Sequence, residues 1–175
     1  MSEKERKERL RLNTKMIVIL GILIAMEVIL NRFLSINAWN IKIGFSFIPV
    51  VVAALLYGAP FGALVGGLGD FIGAILFPIG AYFPGFTLTA ALMGLVWGLL
   101  LTKKQSLTRI AIAAAINQFI LGLVVNTYWI SVLYGSPYGP LIGTRVPQAV
   151  ILFVAQVIVV FAINEVMPRI KSVMK

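Results

Sequence analysis

The chain has 175 residues, 60% of them hydrophobic and 12% charged, with a formal net charge of +9 and a mean hydropathy of +0.99. A soluble domain is nearer half apolar and a quarter charged, so this composition points to a membrane protein, and the length suits one unit with no dividing linker. Cysteine and histidine are both absent, which excludes disulfides, thiolate nucleophiles, soft metal sites and imidazole chemistry.

In chain order, residues 1–15 are a charged tail. Glu3/Lys7 and Glu5/Arg9 stand four apart and support a short helix at the membrane surface. Residues 16–34 form a first span. It is too long for a signal peptide, lacks a small-residue cleavage site, and is followed by further spans. Residues 35–44 (SINAWNIKIG) are too polar to span. A short second span covers roughly 45–57, tilted or extended backward, and Tyr57-Gly58-Ala59-Pro60 marks a turn. The glycine-rich third span, 61–77, is broken by PIGAYFP at 78–84. A fourth span covers 85–101, a fifth about 110–130, a turn-rich loop 134–144, and a sixth about 146–166. The expected architecture is all-α: a single six-helix transmembrane domain over 16–166, with basic tails at 1–15 and 167–175.

Charge gives the orientation. Lys4, Arg6, Lys7, Arg9, Arg11, Lys15, Lys103, Lys104, Arg109, Arg169, Lys171 and Lys175 all fall on one side of a six-span chain. Positive residues in short flanks collect on the cytoplasmic side, so both termini are expected there. This clustering beside apolar segments also argues against a nucleic-acid partner.

Arg32, Lys42 and Arg145 lie at the other, outer end. No outer Asp or Glu is expected to pair with them, so they would draw an anion. The ordinary alternative is snorkelling to headgroups. Arg145, Gln148, Leu152 and Gln156 share one helical stripe, and Gln118, Gly122, Asn126 and Trp129 form another. Polar side chains within spans turn from lipid toward the bundle interior. Two such stripes, richest at the outer end, imply a pocket open outward; the alternative is interhelical hydrogen bonding. Tyr82, Phe83 and Trp129 belong to an aromatic cluster at the same level, for which an interfacial belt is the ordinary account. Trp39 stands apart, in a polar loop beside Asn37, Asn40 and Lys42, placed to fold over a flat ligand.

Glu27 and Asp70 lie deep in the first and third spans. Each is a functional candidate or a hydrogen-bonded structural acid. Asp70 would read an amino-substituted ring or hold a neighbouring helix. Gly62, Gly66, Gly69 and Gly73 form a stripe for backbone-to-backbone helix packing. Gly21 and Ala25 form a small pair that faces either the bundle or another protein. No GxxxxGK[ST] phosphate loop occurs, and no cofactor or metal site is expected.

Three stretches carry a family resemblance: RFLSINAWNIKIGFSFIPVVVAALLYG from Arg32, GGLGDFIGAILFPIGAYFPGFTLTA from Gly66, and NTYWISVLYGSPYGPLIGTRVPQ from Asn126. With the six spans, they resemble the folate-specific S component (FolT type) of energy-coupling factor (ECF) transporters over nearly the whole chain. GDxxG at Gly69 to Gly73 is shared loosely among S components. FPGFT at Phe83 to Thr87 and TRVPQ at Thr144 to Gln148 are more particular to the folate type. The resemblance implies a subunit in the bacterial cytoplasmic membrane that captures folate from outside. It would dock on a transmembrane coupling subunit (EcfT) with two ATPases and topple to release the vitamin inward. Gly21 and Ala25 match the family's contact with the coupling subunit, where an Ala/Ala pair is usual.

Folate joins a flat pterin to a benzoyl group and a glutamate with two carboxylates. Arg32, Lys42 or Arg145 would meet the carboxylates or the carbonyl region, and Asn126 or Asp70 the pterin edge. Enzyme activity is not expected, because Glu27, Asp70 and Glu165 lie at different depths and no acid-base pair is positioned. An S component for another vitamin, such as pantothenate, is the nearest alternative. A self-sufficient secondary transporter would show an internal repeat, and none is visible.

Overall fold

The computed structural model describes residues 13–38, 41–102 and 105–173. The surface helix expected before residue 13 and the lid residue Trp39 lie outside the described residues. Helix α1 spans Thr14–Arg32, and the Asn13 side chain caps it by accepting from the Met16 amide at 2.8 Å. Two short strands follow, β1 (Ile36–Ala38) and β2 (Ile41–Ile43), paired antiparallel with Asn37 opposite Lys42. The polar segment thus forms a hairpin, and the second span is not extended backward through it. Helix α2 is Phe47–Tyr57 and ends at Gly58, whose φ of 99° favours glycine. Helix α3 is Ala59–Leu76, and α4 is Pro84–Leu101 with proline at its first position, where a missing N–H costs nothing.

The fifth stretch is continuous from 107 to 134 but not uniform. Helix α5 (Leu107–Ala115) passes into a π-helical segment, Ile116–Val125, and then into α6 (Asn126–Tyr134). Gly135, left-handed at φ 64°, stops α6. Helix α7 then runs from Tyr138 to Val173, starting well before the expected 146. Gly139 and Pro140, read as loop signals, occupy its first turn, where proline is tolerated. Pro147 and Pro168 lie inside it.

Among the described residues, five stretches are long and apolar enough to cross a membrane: Thr14–Arg32, Ala59–Leu76, Pro84–Leu101, Leu107–Tyr134 and Tyr138–Ile170. Helix α2 has 11 residues, which rise about 16 Å, roughly half of a hydrocarbon core.

The apolar core gathers at the end of the bundle where α1 begins and α7 ends. Leu20 and Leu23 of α1, Val51 to Leu55 of α2, Phe61 and Val65 of α3, Trp97 and Leu101 of α4, Ile110 of α5 and Val160 of α7 bury together there. Helices α3 and α4 meet almost backbone to backbone. A Cβ on Gly94 would stand 2.1 Å from the Gly62 carbonyl oxygen, and one on Gly98 would stand 2.1 Å from the Ala59 Cα. The glycine stripe of α3 has a second use nearer the hairpin. Gly69 and Gly73 do not press on a backbone: the Glu27 carboxylate and the Arg32 guanidinium of α1 lie across them.

Replacing Gly94 or Gly98 by alanine forces a methyl into backbone that cannot retreat, and overpacking of this kind costs about 1–3 kcal/mol. Both variants should melt several degrees below the parent in detergent. Gly139→Ala, whose Cβ meets nothing within 4 Å, should melt with the parent. Equal melting of all the variants would refute the close packing of α3 on α4.

Candidate functional site

Against the dry core stands a cavity of about 640 Å3 in the hairpin half, within the range for a drug-sized ligand. Every helix except α5 contributes to its wall, together with β2 and the 79–83 loop.

The hairpin-end wall is charged. Arg32 closes α1 and folds back along α3 instead of reaching out to headgroups. Its guanidinium Nη2 lies 3.5 Å from Asp70 Oδ1 and donates to the Asp70 carbonyl at 3.3 Å. The bare Cα of Gly73 makes room for it. Thr87 of α4 donates to the other Asp70 oxygen at 2.8 Å. The expectation of outer cations without an acid partner therefore fails for Arg32. Asp70, placed by sequence near the middle of its span, is reached by a side chain that bends back down to it.

Lys42 stands mid-strand in β2. Its ammonium donates to Asn31 Oδ1, and Asn31 Nδ2 donates to Glu27 Oε1 at 2.8 Å. Glu27 and Asn31 are both buried, and Glu27 Oε2 has no partner. Gln148 of α7 donates to the Lys42 carbonyl at 2.8 Å, which pins the hairpin from the opposite side. Burial, and after it the nearby Arg32 charge, push the Lys42 ammonium down from 10.5 to about 8, while Asp70 and Glu27 pull it upward. Arg145 of α7 is buried and donates to the Gly122 carbonyl at 3.3 Å.

Below this charged level the wall turns neutral, and two helical stripes line the cavity from the hairpin end to its floor. Arg145, Gln148, Leu152 and Gln156 all line the cavity from α7, and Gln118, Gly122 and Asn126 line it from the fifth stretch. Asn117, not singled out by sequence, lines it too and has no exposed surface. Its Nδ2 donates to the Met93 carbonyl at 3.2 Å, so its oxygen is the free end, and that oxygen has no partner. Gln148 Oε1, Asn126 Oδ1 and Gln156 Oε1 are also buried without partners. Gln156 stands eleven residues beyond Arg145 on the same helix, a rise of about 16 Å. Trp97 lies at the same deep end, where cavity and core meet.

Aromatics close the hairpin end. Tyr82, Phe83 and Phe86 line the cavity. Phe71 meets Tyr82 edge-on at 5.9 Å, and Phe83 meets Phe86 at 6.1 Å. Trp129 is not in the wall. Its ring packs behind Phe83 at 5.5 Å and over Gly85, and its Nε1 donates to Thr89 at 3.0 Å. It therefore anchors the start of α4. Thr87, within FPGFT, is a further polar group of the site, and a threonine beside an aromatic loop is the sequence signal for it. No group of three or more acidic ligands able to hold a metal exists among the described residues.

The arrangement can hold an elongated ligand, with acids against the cations at one end and hydrogen-bond donors against orphaned amide oxygens at the other. The family model for the ECF transporter substrate-specific component matches residues 15–166. The chain is 34% identical over 159 residues to the folate transporter FolT of Clostridium novyi (strain NT), covering 90% of this chain and 92% of that one. It is 30% identical over 154 residues to FolT of Leuconostoc mesenteroides subsp. mesenteroides, covering 84% and 83%. Its fold superposes on a crystal structure of FolT bound with folic acid at TM-score 0.83 and 31% identity, covering 87% of this chain and 94% of that one. It also matches the fold of the S component of a bacterial ECF transporter at TM-score 0.68 and 19% identity, covering 97% and 99%.

Lys42 gives the site a pH dependence. Its charged form is complete below about pH 7 and is lost as pH rises through about 8, so a carboxylate ligand should bind evenly below pH 7 and more weakly above 8. Arginine stays protonated throughout. Titrations from pH 6.5 to 9.5 should show an alkaline decline in the parent that is reduced in Lys42→Arg, and equal declines in the two would exclude Lys42 as its source.

Proposed function

The chain belongs to the substrate-specific components of ECF transporters, and from that premise we propose that it is the folate-capturing subunit of such an importer. It is a multi-pass membrane protein of a transporter family, not of an enzyme family. The observation that carries the folate reading is the polarity of the cavity: three cations at the hairpin end and, among the described residues, none at the deep end, where Asn117 and Gln156 offer unpartnered amide oxygens. Folate has the matching polarity, two carboxylates on its glutamate and a donor-bearing pterin at the other end. The pterin goes deep, toward Asn117, Gln156 and Trp97. The glutamate stays with Arg32, Lys42 and Arg145, and Tyr82 and Phe83 flank the entrance. Trp39, an aromatic beside polar neighbours in the sequence, serves as a lid over the flat ring. The relatives named for folate, and the fold shared with a folic acid complex, support this choice over another vitamin anion.

The topology we propose has six crossings, with both termini cytoplasmic in the bacterial cell membrane. Helix α2 counts as the sixth crossing because it returns the chain from the hairpin end to the end where α3 begins; Ala59, the first residue of α3, lies against Gly98 near the end of α4. The basic residues of the two tails and of the 103–109 stretch support the cytoplasmic assignment, and the cavity then faces outward. Gly21 and Ala25, exposed on α1, are the surface for a transmembrane coupling subunit that works with two ATPases.

Titrating the purified protein with folic acid should quench tryptophan fluorescence with sub-micromolar affinity. Pteroic acid, which keeps the ring and lacks the glutamate, should still quench. Arg145→Ala should weaken folic acid about 10- to 100-fold. No response to folic acid, with a different vitamin found by mass spectrometry of the purified sample, would overturn the folate reading.

A further inference from the structure

We infer that Glu27, beside Asn31 and Lys42 in the cavity wall, is a positioning residue for the ligand-facing cation Lys42, acting through Asn31. The inference rests on the folate reading above and adds a residue to its machinery. Three observations carry it.

The Asn31 amide is held in one orientation by both of its ends. Its nitrogen donates to Glu27 Oε1, and its oxygen receives the Lys42 ammonium. An amide turned over would present N–H groups to an ammonium, and two donors cannot bond each other. Glu27 therefore determines whether Asn31 attracts Lys42 or repels it.

Glu27 itself is built in. It is 4% exposed, and its carboxylate lies against Gly69, where any Cβ would come within 2.2 Å of Oε2. A group lodged this way keeps one direction, so the amide above it does too. Lys42, in turn, is the point where three elements meet: its side chain is tied to α1 and its carbonyl to Gln148 of α7. Losing the α1 tie frees the ammonium at the edge of the cavity and leaves the hairpin held from one side only.

The charged groups around Lys42 are Arg32 and Glu27 of α1 and Asp70 of α3. Arg32 and Asp70 are occupied with each other, which leaves Glu27 as the acid that reaches Lys42 through a hydrogen-bonded chain. A purely structural acid would tolerate any replacement that keeps the bundle folded. A positioning acid has a narrower requirement, an acceptor directed at Asn31.

The test is a set of folic acid titrations by tryptophan fluorescence on the purified protein. Glu27→Leu should weaken binding about 10-fold, and Glu27→Gln, which keeps an acceptor, should stay within about 3-fold of the parent. Lys42→Met should weaken binding at least as much as Glu27→Leu. The Glu27→Leu/Lys42→Met double variant should be no weaker than Lys42→Met, because the two changes remove one interaction. Asn31→Asp offers only acceptors and needs no neighbour to orient it, so adding it to Glu27→Leu should restore most of the lost affinity. Glu27→Leu should melt close to the parent in detergent, which separates lost positioning from lost fold. Additive losses in the double variant, or no rescue by Asn31→Asp, would overturn the inference while leaving the folate reading intact. A parent protein that binds no folic acid would sink the folate reading and this inference together.

Discussion

Arg32 folds back across Gly73 to reach Asp70, and the shape of the hairpin half follows from that contact. A carboxylate well inside a span is costly unless a cation or strong donors reach it. The cation comes from the end of α1, and it reaches Asp70 because α3 presents bare backbone at Gly73. Thr87 completes the acid's hydrogen bonding from α4. One ion pair thus ties three helices at a fixed level and gives the cavity a polar wall. Glu27 repeats the arrangement one turn below, across Gly69, with Asn31 as its donor. Glycine here makes room for side chains, whereas at Gly62, Gly94 and Gly98 it lets backbones touch.

These two uses of glycine divide the bundle. Where α3 and α4 approach backbone to backbone, no space is left, and the core is closed by Trp97, Leu101 and Ile110. Toward the hairpin the helices are separated by side chains, and the cavity opens between them. Trp97 belongs to both halves, with one side in the core and the other on the cavity floor. Helix α2 fits the same division. It is short because much of its traverse is replaced by the hairpin, whose Lys42 side chain points to α1.

How much of this could be read from the sequence depended on whether a local period settled which residues face the cavity. The α7 stripe of Arg145, Gln148, Leu152 and Gln156 was legible because that helix keeps an ordinary period across the cavity, despite Pro147. The matching stripe in the fifth stretch was legible only in part. The cavity face there runs in steps of four, through Gln118 and Gly122 of the π-helical segment and on through Asn126, Ile130 and Tyr134 of α6. Trp129, expected on that stripe from a 3.6-residue period, is rotated out behind Phe83. Asn126 and Trp129 both lie in α6, so it is the packing of the indole on Phe83 and Gly85, which no local period encodes, that takes Trp129 out of the wall. The Arg32–Asp70 pair was invisible for a different reason: 38 residues separate its members, and only the packing of α1 on α3 joins them. The hairpin was hidden by its brevity, with strands of three residues too short for an alternating pattern.

Helix α1 shows why such patterns mislead in a membrane. Its inward residues include Leu20, Leu23, Glu27 and Asn31, and its outward ones are Ile17, Val18, Gly21, Ile22, Ala25, Met26 and Ile29. Both faces are largely apolar, so hydrophobicity cannot say which one is buried. Polarity can, because Glu27 and Asn31 must turn from lipid. Once they turn inward, Gly21 and Ala25 must face out. A Cβ added to Gly21 meets nothing within 4 Å, so its smallness serves no packing inside this bundle. Helix association in lipid gains from close approach more than from apolar burial. The acid on the opposite face is thus what fixes the direction in which the small pair points.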